Sequence, residues 1–209
     1  MKNLIFTLAL LSAGLKLLAQ TSSENFKSAL MEKKGGAVVV YSSDKHSFTL
    51  DLVSNNIKPQ NKSGLISIDN KVLQFILIPN ETINADSASE AYQKAALLGY
   101  MNYELDYVKN DLKLAYTNLV TEWVVINNKL FLSWRYDMPG EMIKNESSIR
   151  KQINLSGICF GHVLNLNTPF GKSDTLTDGK ALLARVAKTY TPNDFATDFS
   201  EFYKKLHEQ

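Results

Sequence analysis

The chain has 209 residues, with 23 Lys and Arg against 21 Asp and Glu, for a formal charge of +2 at pH 7. Near-neutrality with interspersed signs removes the long-range field that gathers phosphates or anionic lipid, which argues against nucleic acid and membrane surfaces as partners. A single cysteine, Cys159, excludes an intramolecular disulfide, so packing must supply the stability.

The first twenty residues read as a secretory signal peptide. Met1 and Lys2 precede an apolar run from Leu4 to Gly14, shorter than the roughly 20 residues that span a bilayer. Leu17-Leu18-Ala19-Gln20 then places a small residue where signal peptidase cuts. The expectation is a leader over residues 1–19 and one globular domain over 20–209, exported to the periplasm or medium without stable membrane insertion. Loss of the leader removes Lys2 and Lys16 and leaves 21 basic and 21 acidic groups. Gln20 stands where a lipoprotein would carry cysteine. Asn61, Asn80, Asn145 and Asn154 each begin an Asn-x-Ser/Thr triplet, a pattern that arises readily by chance in an asparagine-rich chain.

Ser23 to Lys34 is read as a short helix, with Phe26 and Leu30 one turn apart and Gly35-Gly36 as its stop. Ala37 to Tyr41 and Ser47 to Leu52 then form a hairpin with Phe48, Leu50 and Leu52 on one face. Leu65 to Ile68 and Val72 to Ile78 flank Asp69-Asn70, a dipeptide suited to a tight turn; the second run is apolar enough for a strand covered on both faces. Ser87 and Glu90 fit a capping box for a helix carrying Ala91, Tyr92, Ala95 and Leu98, continuing past Gly99 toward Asn110. Leu112 to Ile126 and Lys129 to Tyr136 make the best hairpin in the chain, around Asn127-Asn128. Gln152 to Leu166 reads as one long strand interrupted by Gly157 and Gly161. Asp178 to Tyr190 forms a helix. A last helix is placed from Thr191-Pro192, with Phe195, Phe199, Phe202 and Leu206 as a core-facing stripe. The fold class is α+β: a mainly antiparallel sheet flanked by helices.

Chemistry is harder to find. His46, His162 and His207 fall in a turn, a strand and the C-terminus, with nothing to gather them around a metal. Cys159 and His162, three apart in one strand, would point to opposite faces, so Cys159 is read as a small core residue. Gly171-Lys172-Ser173 lacks the earlier glycine of a phosphate loop, because Leu166 occupies its place. No Gly-x-Ser-x-Gly or His-Glu-x-x-His string occurs. Glu104, Asp106 and Asp111 read as a solvated helix face. No catalytic residue, metal or cofactor is assigned.

The most distinctive string is Trp134-Arg135-Tyr136-Asp137. Aromatics and arginine dominate binding hot spots, which makes these four, with Tyr103 from the Tyr100, Tyr103 and Tyr107 cluster, the candidate ligand or partner surface. The competing reading has Arg135 and Asp137 on one strand face and the two rings packed on the other.

The order of elements, with Phe48-Thr49-Leu50-Asp51-Leu52, the Asn127-Asn128 hairpin and Asn165-Leu166-Asn167-Thr168-Pro169 at corresponding places, resembles the PsbP-like group of photosystem extrinsic proteins and bacterial envelope relatives. The resemblance runs from Ala37 to Tyr190. It implies an α/β/α sandwich used as a binding or assembly module, and it transfers no functional residue. The expected protein is therefore an exported, monomeric, non-enzymatic binding or accessory protein acting on a protein or small ligand. The competing expectation is a secreted hydrolase built from distant polar groups such as Glu104, Asp137 and His162.

Overall fold

The computed structural model describes residues 24–60, 64–79, 89–143 and 148–208. The proposed leader, Ser87 and three of the four Asn-x-Ser/Thr triplets lie outside those residues. The chain begins with a meander: β1 (Lys27–Lys33), β2 (Gly36–Ser42) and β3 (Ser47–Val53), all antiparallel. The helix expected over Ser23 to Lys34 is thus a strand. Gly35, at φ +76°, closes a tight turn, and β2 supplies a full-length pairing partner whose hydrogen bonds outweigh a weak local helical spacing. Gly36 is fixed by close approach, since a Cβ there would lie 2.0 Å from the Leu52 carbonyl oxygen.

A larger sheet follows. It comprises β4 (Ile57–Pro59), β5 (Leu65–Ile68), β6 (Lys71–Pro79), β7 (Thr117–Ile126), β8 (Lys129–Asp137), β9 (Lys151–Cys159) and β10 (His162–Phe170), in the order β4-β5-β6-β10-β9-β8-β7. The hairpins at Asp69-Asn70 and Asn127-Asn128 stand as expected, with all four residues at φ between 49° and 64°. The single strand expected over Gln152 to Leu166 is two strands. Phe160 (φ 45°) and Gly161 (φ 71°) form a left-handed two-residue turn that places Cys159 opposite His162 across the hairpin. A bulky aromatic at positive φ carries no turn signal in sequence, which is why this turn escapes the reading.

Among the described residues, three α-helices complete the fold: α1 (Glu90–Asn110), α2 (Leu176–Ala187) and α3 (Phe199–His207). The start of α1 is capped by Ser89, whose Oγ accepts from the Tyr92 amide at 3.4 Å. The last helix begins later than expected. Thr191–Asn193 is instead a short edge strand, β11, on β3, and Asp198 caps α3 by accepting from the Ser200 and Glu201 amides. Phe199, Phe202 and Leu206 pack on Met31, Val38 and Val40 as a core stripe should, whereas Phe195 precedes the helix and is exposed.

The α+β fold is as expected, with the strands divided between two sheets. Helix α1 covers one face of the seven-stranded sheet. The other face is covered by α2 together with the four-stranded sheet β1-β2-β3-β11, and between them lies the main core: Phe48, Leu50, Leu52, Leu73, Phe131, Ile153, Leu166 and Leu183. Alternation along each strand decides which side chains meet which layer.

Candidate functional site

The Trp134 to Asp137 segment is split by that alternation. Trp134 and Tyr136 are buried under α1, their rings 6.1 Å apart, while Arg135 and Asp137 face the opposite layer. Asp137 binds Lys151 and accepts from Asn118 Nδ2 at 2.8 Å. Burial alone would raise its pKa, but these bonds outweigh it and hold the carboxyl below its ordinary value. Tyr103 is 63% exposed on α1, apart from the other four. Nor are Glu104, Asp137 and His162 gathered: Glu104 lies beneath α1, and His162 lies on the other face, edge-on to Phe26 with ring centres 5.1 Å apart. Cys159 is fully buried, as expected of a core residue, with Sγ 3.1 Å from Tyr190 Oη. His46 pairs through Nδ1 with Glu24 at 2.7 Å beside an open depression of about 630 Å³ that includes Lys27, Lys45 and Asp198. Among the described residues, no group of three His, Cys, Asp or Glu side chains could hold a metal.

One carboxylate departs from the sequence reading. Asp106 and Asp111 are solvent-facing, but Glu104 is only 6% exposed. It faces a polar seam on the sheet. Trp134 Nε1–H donates to Ser156 Oγ (3.0 Å), Ser156 Oγ–H donates to Asn165 Oδ1 (2.8 Å), Asn165 Nδ2 donates to Asn154 Oδ1 (3.3 Å) and Gln152 Nε2 to Asn167 Oδ1 (2.7 Å). Tyr100, one turn before Glu104, approaches Glu104 and Asn165. Even so, Tyr100 Oη, Glu104 Oε1 and Asn154 Nδ2 have no hydrogen-bond partner among the described residues. Burial raises the Glu104 carboxyl above its ordinary range and pushes the Tyr100 and Tyr136 hydroxyls up as well. Asn154 is buried in this seam, so its triplet offers no exposed acceptor.

An exposed sheet edge adjoins this seam. Among the described residues, strand β7 ends the seven-stranded sheet and pairs only with β8, so one side of its backbone has no strand partner there. Its apolar side chains are open to solvent: Leu119 is 39% exposed, Val120 44%, Trp123 37% and Val125 68%. Thr121 lies directly opposite Trp134, and Trp123 opposite Leu132, so the buried residues under α1 brace the strand from behind. Lys94 of α1 sits over the Trp123 ring at 5.4 Å and pairs with Glu90. Glu122, the only charged residue of β7, pairs with Lys180 at 2.5 Å. A bulge between Thr117 and Val120, with Asn118 at φ +52°, leaves Val120 to Ile126 as a regular strand. The sequence identified this hairpin but chose its inner strand; the signal for the outer one was a ten-residue strand with no Lys, Arg or Pro, the residues that usually guard an edge.

No protein-family model and no curated protein matches the chain. The solution structure of cyanobacterial PsbP (CyanoP) from Synechocystis sp. PCC 6803 is similar in fold. The likeness spans 85% of this chain and 98% of that one, at 11% identity and a TM-score of 0.46. Among the described residues, no helix is long and apolar enough to cross a membrane.

Proposed function

We propose that this protein is an exported, non-enzymatic binding module that engages a protein partner by adding an extended strand to β7. The observation that carries the reading is the edge itself: a long strand with no strand neighbour on its outer side among the described residues, and with Leu119, Val120, Trp123 and Val125 exposed. Strand addition draws affinity from main-chain hydrogen bonds and selectivity from alternate side chains. The charge pattern defines the partner's chemistry. Glu122 and Lys94 are already paired, so a charged residue on the incoming strand would meet apolar neighbours and no counter-ion; the fitting segment is uncharged, with β-branched or aromatic residues at alternate positions. Export rests on the leader pattern of residues 1–20.

The test uses an uncharged eight-residue peptide of alternating valine and threonine, followed through Trp123 fluorescence. It should bind the wild type, fail to bind Val125→Lys, and lose binding when lysine replaces its alternate residues. Binding that survives Val125→Lys, or no binding at all, would contradict the proposal.

A further inference from the structure

Resting on the strand-docking reading, we infer that the strand received by β7 is β7 of a second copy, giving a two-fold dimer with a continuous fourteen-stranded sheet. The partner chemistry deduced above describes β7 itself: extended, apolar, and carrying one charge that is already paired.

Two-fold antiparallel pairing matches residue i with residue c − i and keeps both on the same sheet face, so c must be even. Leu119, Thr121, Trp123 and Val125 share the α1 face, and Val120, Glu122, Val124 and Ile126 the other. Placing the axis at Glu122 sets two carboxylates directly opposite each other, an arrangement that destabilises a sheet. Placing it at Thr121 pushes the pairing into the Asn118 bulge. An axis at Trp123 avoids both. It sets Trp123 against its copy, Thr121 against Val125, Glu122 against Val124 and Val120 against Ile126, pairing the regular part of the strand and leaving Lys180 free to keep Glu122.

The layers leave room for this. Helix α1 packs mainly on β8 and β9, and α2 mainly on β9, β10 and β3; they reach β7 through Lys94, over the Trp123 ring, and Lys180, paired with Glu122. With strands about 4.8 Å apart, the two α1 axes would stand about 19 Å apart across the joint, against a helix diameter of about 10–12 Å. That separation keeps the two helices apart, and the proposed dimer takes the place of the monomer expected from sequence.

Sedimentation velocity on the purified protein, up to about 100 µM, where even a modest strand contact is populated, should show a dimer. Val125→Lys, at an exposed position, should keep the wild-type circular dichroism and weaken dimerisation at least about tenfold, one charge per edge being the usual guard against such pairing. Under mild oxidation, Trp123→Cys should form a covalent dimer while Thr121→Cys, whose opposite residue is Val125, should not; the reverse pattern would overturn the register. A dimer indifferent to Val125→Lys would overturn the inference, as would a monomer at the highest concentration. If that monomer still binds the uncharged peptide at β7, strand docking stands and only the second copy falls. If it binds neither, both readings fall.

Discussion

Replacing Glu104 by glutamine tests the account of the polar seam through the pH dependence of stability. The carboxyl is 6% exposed, Oε1 has no hydrogen-bond partner among the described residues, and the titratable groups near it there are the hydroxyls of Tyr100, whose approach partly offsets the burial, and Tyr136. Burial raises its pKa above the ordinary 4.5. A carboxyl that holds its proton more tightly when folded stabilises the fold below its unfolded value, and that contribution is lost as pH rises toward the folded value. Each tenfold gain in proton affinity on folding corresponds to about 1.4 kcal/mol lost over that interval. Glutamine keeps the shape, stays neutral and brings its own donors, removing this loss along with part of the roughly 1–3 kcal/mol cost of an unsatisfied buried polar group. Urea unfolding at pH 4, 6 and 8 should therefore find Glu104→Gln more stable by about 1–3 kcal/mol at pH 8, with the difference shrinking as pH falls to 4. Parallel profiles, or a less stable variant at pH 8, would refute a carboxyl whose burial outweighs its contact with Tyr100.

Two further substitutions probe the packing behind β7. Gly157→Ala would place a Cβ 2.6 Å from Phe131 Cε1 in the main core and should cost about 1–3 kcal/mol, read as a lowered thermal midpoint. An unchanged midpoint would mean that the ring moves freely. Trp134→Phe removes the donor to Ser156 Oγ within a buried chain of hydrogen bonds and should cost about 1–3 kcal/mol in urea unfolding, with α1 amides exchanging faster than those of α2. Equal acceleration in both helices would show that the seam does not govern α1.

Much of the fold is legible because its turns announce themselves. Asp69-Asn70 and Asn127-Asn128 tolerate positive φ, and the runs beside them alternate or stay apolar, so their hairpins follow from local chemistry alone. The errors fall where long-range pairing decides. Residues 27–33 have helical spacing but meet β2 in full register, and Thr191–Asn193 becomes a strand only because β3 offers an edge. Glu104 defeats a pattern-based reading for a related reason: a carboxylate on the inner face of a helix makes sense only once Asn154, Ser156 and Asn165 are known to be polar on the sheet below it. The exposure of β7 is invisible for the opposite reason. An apolar strand has the same sequence whether or not a neighbour pairs with it, and only the strand order shows that this one lies at the end of the sheet.

The central claim is that β7 is an interface, and hydrogen exchange compared at low and high protein concentration tests it most directly. Amides that face outward from an edge exchange readily unless another strand covers them. Exchange at high concentration should slow only within Val120 to Ile126, and that slowing should vanish in Val125→Lys. Exchange in β7 that is fast and identical at both concentrations would contradict it.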